Sequence, residues 1–152
     1  AFQVFLTPTS DGGVNYIDSD GHHWIEEYIV FPPTHILNGF IWGLWGIYDY
    51  NIQFPDKRYE KLYNNYVKTL IEKLDSYDTG FWSLYEHSGT WLKMIASLFY
   101  HKLHIVQLRV MYQLTAENIF IEKADKWEKY LNNPFNRKKA FMQKAIFKVL
   151  YY

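Results

Sequence analysis

Between Tyr59 and Leu74 the apolar side chains fall at Tyr59, Leu62, Tyr63, Tyr66, Val67, Leu70, Ile71 and Leu74. This alternation of three-residue and one-residue steps is the signature of an amphipathic helix, and Pro55-Asp56 ahead of it reads as its start, with Asp56 as the N-terminal acid. The run His35–Tyr50 (His-Ile-Leu-Asn-Gly-Phe-Ile-Trp-Gly-Leu-Trp-Gly-Ile-Tyr-Asp-Tyr) has almost no polar side. As a helix over 35–49 it is predicted to be buried nearly all round. It is too short and too interrupted by glycine to span a membrane, and Asp49 is expected to end it. Gly39, Gly43 and Gly46 share one face of that helix. Each costs about 1 kcal/mol relative to Ala, so a neighbouring helix or a ligand must come close there. Pro32 and Pro33 forbid helix just upstream and force an extended approach.

The first 27 residues carry a different period. Phe2, Val4 and Leu6 alternate as in a strand until Pro8 interrupts them, and Asp11-Gly12-Gly13 is turn chemistry. Val14–Ile17 and His23–Ile25 flank Asp18-Ser19-Asp20-Gly21, a β-hairpin signal. Asp18, Asp20 and Gly21 also suggest calcium, but the later ligands of an EF-hand loop are missing. After the break at 75–80, Phe81-Trp82-Ser83-Leu84-Tyr85 reads as a short extended segment, and Ser88-Gly89 is a second break. The pattern at 91–100 is ambiguous. Further helices are predicted over 101–114, with Leu103, Val106, Val110 and Leu114 inward, over 119–131, with Phe120, Ala124, Trp127 and Leu131 inward, and over 137–150. Asn132-Asn133-Pro134 separates the last two. Without an internal repeat, the expectation is a single mainly α domain over 1–152. Helical hairpins would pack side by side over 35–150, with a small N-terminal β-hairpin within 1–30.

Composition narrows the function. The chain has 152 residues, 49% of them hydrophobic, enough for a folded core. A formal net charge of zero argues against a nucleic-acid binder. The absence of Cys excludes a disulfide framework, a thiol nucleophile and a Cys-ligated zinc. No leader and no long apolar span are visible, and an opening at Ala1 that runs straight into Phe2-Gln3-Val4 suggests a processed or excised chain. Aromatic residues make up 20%. They suit either a helical core with tyrosine hydroxyls at its edge or a cleft whose ring faces meet the C–H faces of pyranoses. Arg137, Lys138, Lys139, Lys144 and Lys148 give the last helix a basic face, solvated or in contact with a polyanion.

Three short clusters carry candidate chemistry: Glu26-Glu27-Tyr28, the run Phe81–His87, and Tyr100–Gln107. In the third, His101 and His104 lie three apart with Gln107 beyond them. They could begin a metal site, which needs further ligands, or hydrogen-bond to polar neighbours. There is no Gly-rich phosphate loop and no nucleophile elbow.

Glu26-Glu27-Tyr28, His35–Phe40 and Gly46-Ile47-Tyr48-Asp49 together resemble the C-terminal domain of the D-glucuronyl C5-epimerases. Tyr77–Gly80 with Ser83-Leu84-Tyr85, Tyr100-His101 with His104-Ile105 and Gln107-Leu108, and Trp127–Leu131 continue that pattern in the same order. The resemblance covers about residues 12–132. It implies a helical domain, part of an (α/α) toroid, whose cleft binds an acidic glycan. It also implies inversion of C5 of glucuronic acid in heparosan-like or heparan-like polysaccharide, without metal or cofactor. The family's active-site residues fall on Glu27, Tyr28, Tyr85 and Tyr100, with Asn38, Glu86, His87, His101 and His104 as substrate contacts. Family members often have an Arg-His pair after the Tyr85 motif, where this chain has His87-Ser88-Gly89. His87 or His101 would then substitute at the substrate carboxylate. Members also carry a long region before this domain, so the chain is expected to be part of a longer architecture in a secretory-pathway lumen or a bacterium.

The chemistry suits these residue types. Removing the C5 proton from one face of a uronate and returning one to the other needs two acid–base groups on opposite faces. A carboxylate is the easier base, and a phenol with an ordinary pKa near 10 is the better donor. Glu27 therefore takes one face and Tyr100 the other, while Tyr28 and Tyr85 hydrogen-bond the substrate carboxylate or ring. The expected partner is a uronic-acid polysaccharide, with no nucleic acid, no membrane span and a homodimer as an option. A non-catalytic acidic-glycan-binding module and a helical scaffold are the competing readings.

Overall fold

The computed structural model describes residues 2–151. The chain is mainly α-helical with a small antiparallel hairpin, and it divides into two compact units, the first running to Lys73 and the second beginning at Leu74.

In the first unit, strands β1 (Asn15–Ile17) and β2 (His23–Ile25) pair Asn15 with Ile25, Tyr16 with Trp24 and Ile17 with His23. The turn is built on Asp18. Its carboxylate accepts the backbone N–H groups of Asp20 and His22 at 3.0 and 2.9 Å and the Trp24 indole N–H at 3.0 Å. Partial burial works to raise the Asp18 pKa, but these donors and the His22 ring outweigh it and pull it down to about 2. Gly21 supplies the left-handed residue, with φ of 85°.

The predicted N-terminal strand is not formed. Phe2–Phe5 is a 3-10 turn, because β1 pairs with β2 and Phe2–Leu6 gains no ladder of its own among the described residues. The alternation reflects side-chain docking instead. The Phe2 ring stacks on Tyr50 at 4.0 Å, and the Phe5 carbonyl accepts the Tyr66 hydroxyl at 3.3 Å.

Helix α1 (Leu37–Gln53) starts after the prolines as predicted but runs on past Asp49. It is not buried all round either. Leu37, Phe40, Ile41, Leu44 and Ile47 are fully enclosed, whereas Trp42 is 51% and Ile52 63% exposed. Helix α2 (Lys57–Lys73) matches its predicted span, with the Asp56 carboxylate accepting the Arg58 N–H at 2.8 Å at its start. Tyr59, Leu62, Tyr66 and Leu70 form its buried face.

On the glycine face of α1, Gly43 meets the hairpin rather than a helix. A Cβ built at Gly43 would lie 2.7 Å from Ile25 Cδ1 and 3.0 Å from Ile25 Cγ2, whereas one at Gly46 meets nothing within 4 Å. Gly43→Leu should therefore destabilise the fold by about 1–3 kcal/mol. Gly46→Ala should be neutral or stabilising by up to about 1 kcal/mol. Thermal unfolding of the two variants checks the pair, and equal melting temperatures would show that Ile25 yields freely.

The second unit holds α3 (Leu98–Thr115), α4 (Asn118–Asn132) and α5 (Pro134–Tyr151). Helix α3 begins three residues before the predicted His101 because Ser97 caps it, its hydroxyl accepting the Tyr100 N–H at 3.3 Å. Its inward face is also rotated from the predicted stripe. His101, His104, Ile105, Gln107, Leu108 and Met111 are buried, while Val106 is 56% exposed. Phe120, Ala124 and Trp127 of α4 are buried as expected, and Leu131 is only half-buried. Lys123 is buried as well, its ammonium held by Asp78 at 3.2 Å and by Asp75. Helix α5 buries Ala140 and Phe147. Ahead of α3, the extended segment predicted at 81–85 is pinned as a ribbon. Tyr85 N–H donates to the Met94 carbonyl at 2.8 Å and Ala96 N–H to the Ser83 carbonyl at 2.9 Å.

Candidate functional site

In the first unit the hairpin's pleat separates the two adjacent carboxylates. Glu26 continues the ladder, donating its N–H to the Val14 carbonyl at 2.9 Å, and its side chain is only 2% exposed. It accepts the backbone N–H groups of Thr34 at 3.3 Å and His35 at 3.1 Å and also bonds the His35 ring. These bonds hold His35 in the left-handed region, with φ of 48°, just before α1, and Trp24 stacks on its ring at 4.0 Å. Glu26 is thus an anchor for the entry to α1.

Glu27 points the other way and is exposed. Its side chain lies across the first turn of α1, where a Cβ built at Gly39 would overlap Glu27 Oε2 and stand 3.4 Å from Glu27 Cβ. Only a glycine at 39 admits the carboxylate in that place. Asn38, next to it, is buried in the same turn. Tyr28 is 57% exposed and lines a groove of about 300 Å³ together with Tyr16, Ile29, Val30, Phe31 and Pro33.

In the second unit Tyr85 leaves the ribbon and Tyr100 leaves the first turn of α3. Both are half-buried, and their ring centroids lie 4.8 Å apart at 60°. Glu86 and His87 follow, also half-buried. His87 Nε2 meets the Ser76 hydroxyl at 3.0 Å, and its ring packs on Tyr77 at 4.0 Å.

His101 and His104 are enclosed, each with 0% exposure, so neither presents a surface to a glycan. Of the two readings open for this pair, the structure has the hydrogen-bonded one. His101 Nε2 lies 3.0 Å from the Trp127 carbonyl, which only accepts, so Nε2 carries the proton. His101 Nδ1 therefore accepts the Ser83 N–H at 3.2 Å and the Ser83 hydroxyl at 2.8 Å. The hydroxyl oxygen in turn accepts from His104 Nδ1 at 3.0 Å. Trp82 stacks on His101 at 3.8 Å and donates its indole N–H to the Ala96 carbonyl at 2.9 Å. This network ties the ribbon carrying Tyr85 to the helix carrying Tyr100.

A family model described as the D-glucuronyl C5-epimerase C-terminus matches residues 1–129. The chain belongs to the D-glucuronyl C5-epimerase family. It is 28% identical over 145 residues to a D-glucuronyl C5-epimerase of Caenorhabditis elegans, covering 86% of this chain and 23% of that protein. It is also 28% identical over 130 residues to an uncharacterized protein of Methanocaldococcus jannaschii, covering 84% of this chain and 41% of that protein. The chain therefore spans less than half the length of either relative.

The residues to which the epimerase resemblance gives a site role, from Glu27 to His104, lie within the matched span, and α5 lies beyond it. Sequence reasoning missed two supports, Glu26 as an anchor and Ser83 as the bridge between the histidines. The only signal for Ser83 was its place in the Ser83-Leu84-Tyr85 motif. No described helix is long and apolar enough to cross a membrane.

The buried histidines have a consequence for acid stability. Burial pushes His101 down to about 4, against weaker upward pulls from the Trp127 carbonyl and Asp78, and it pushes His104 down to about 3 with the help of His101. In the unfolded chain each titrates near its ordinary value of about 6.5. Below that value the unfolded state binds more protons, so stability is fully present above about pH 6.5 and is lost as pH falls toward about 4. The slope is about 1.4 kcal/mol per pH unit for each histidine. Asp18 adds its loss only further down, below the ordinary carboxylate range. Urea midpoints measured between about pH 7 and about pH 4.5 should fall steadily, and a flat profile would contradict neutral burial of the pair.

Proposed function

We propose that this chain takes part in C5 epimerisation of glucuronic acid residues in a heparosan-like or heparan-like polysaccharide. The observation that supports this most directly is the Tyr85–Tyr100 ring pair, two half-buried phenols held by an enclosed histidine network. In this reading the Glu27 carboxylate takes the C5 proton, and the electron pair left behind delocalises into the uronate carboxylate. The Tyr100 hydroxyl then gives its proton to the opposite face of C5, and exchange with solvent returns both groups to their starting states. Tyr28 and Tyr85 would hydrogen-bond the ring or the carboxylate, and Asn38, Glu86 and His87 would serve as further substrate contacts. The enclosed His101 and His104 serve as positioning residues for the phenols.

Incubation of the protein with heparosan in heavy water tests this. Deuterium at C5 of the uronic acid is the expected result. Glycan binding without exchange would make the chain a binding module, and neither binding nor exchange on several uronate polymers would leave a helical scaffold.

A further inference from the structure

None of the residues given a role in that chemistry carries a fixed positive charge. The uronate carboxylate gathers charge as C5 loses its proton, and a cation there would stabilise it beyond what the Tyr28 and Tyr85 hydroxyls supply as donors. The position after the Tyr85 motif, where family members often have Arg, offers only His87, and that ring is engaged with Ser76 and Tyr77. A cation reaches the Tyr85 ring from another direction. Lys144 of α5 donates to the Ile95 carbonyl at 2.9 Å, and its Nζ stands 5.7 Å from the centre of the Tyr85 ring. Tyr85 packs in turn on Tyr100.

Lys144 differs from the other cations of α5. Arg137, Lys138, Lys139 and Lys148 are exposed, whereas Lys144 is half-buried. An ammonium carries three donors. Ile95 takes one of those on Lys144, and the other two have no protein acceptor among the described residues. Burial, then Lys148 one turn on, hold the Lys144 pKa below its ordinary value, with Glu86 offsetting them in part. Lys144 is therefore a cation with too little countercharge. A groove of about 300 Å³ opens beside it, with Leu98 and Phe141 as apolar walls and Arg137 as a second cation. Apolar walls with two cations match a chain of pyranoses that carry carboxylates.

We propose that Lys144 binds the substrate carboxylate at the Tyr85–Tyr100 pair, and that the groove running to Arg137 receives the adjoining sugar of the same acidic polymer. The identity of the polymer rests on the epimerase reading; the site itself rests on the geometry of α5, which lies outside the residues matched to the family.

Lys144→Gln keeps a donor for Ile95 and removes the charge, Lys144→Arg keeps the charge, and Lys138→Met on the exposed side of α5 is the control. Binding of unsulfated heparosan oligosaccharides is measured by titration calorimetry, with kcat and KM for C5 exchange in heavy water and the melting temperature alongside. Lys144→Gln should weaken binding and raise KM by about tenfold or more. Lys144→Arg should restore most of both, and Lys138→Met should change neither. Native binding by a folded Lys144→Gln variant overturns the proposal, even where the wild type exchanges deuterium and the epimerase reading stands. A wild type that binds heparosan through Lys144 without exchange keeps this site and removes the epimerase reading. A wild type that binds no uronate polymer removes both. If Lys144→Gln fails to fold, Arg137→Gln decides: weaker binding with a shallower salt dependence is expected, and unchanged affinity and salt dependence in that folded variant overturn the groove.

Discussion

Replacing Tyr100 with Phe should lower C5 exchange by about a hundredfold or more while glycan binding persists. Tyr100 is the third residue of α3, counted from the Ser97 cap, so its side chain is aimed by a formed helical turn rather than by a loop. Its ring lies against Tyr85 at 4.8 Å and Phe99 at 5.3 Å, contacts that Phe preserves. The substitution therefore isolates the hydroxyl. A catalytic donor would leave its mark in kcat with the melting temperature nearly unchanged. A packing role would leave exchange intact and shift stability by only about 1 kcal/mol. Tyr85→Phe serves as the comparison. If Tyr85 binds substrate and does not donate the proton, it should raise KM more than it lowers kcat. A Tyr100→Phe protein with full exchange would end the assignment of Tyr100 as the proton donor.

Much of the fold was legible because its helices announce themselves by period. Helix α2 shows this best, since its buried Tyr59, Leu62, Tyr66 and Leu70 follow the spacing directly. Helix α3 shows where period fails. Three of its six buried side chains are polar (His101, His104 and Gln107), so an apolar stripe drawn through Val106 misplaces the face. Polar groups are buried there because Ser83 and the Trp127 carbonyl satisfy the histidines, and those partners come from distant parts of the chain that no local pattern reveals. Glu26 hid in the same way, since Glu26 and Glu27 differ only in the side of the pleat they occupy. The motifs did mark Glu27, Tyr85 and Tyr100, residues that the structure leaves wholly or partly accessible. They could not mark Lys144, which reaches Tyr85 from a helix nearly sixty residues further on.

Glu27→Gln should reduce C5 exchange at least as far as Tyr100→Phe, because an amide of the same shape cannot take the proton; a loss of about a hundredfold or more is expected. Gly39 gives this assignment an independent check. A methyl group at Gly39 would occupy the space of Glu27 Oε2, and the far end of that flexible side chain would swing aside at little cost. Gly39→Ala should therefore leave the fold as stable as before, or more stable by up to about 1 kcal/mol, because alanine is the better helix former. Exchange should nonetheless fall by about tenfold or more, since a base displaced by an ångström loses its alignment with C5. Gly46→Ala, on the open part of the same helix, should match it in stability and keep full exchange. The separation of activity from stability between these two alanine variants is the decisive reading. Equal activity in both, with Gly39→Ala folded, would mean that the place of the Glu27 carboxylate is irrelevant to the reaction, and the base would have to be sought elsewhere.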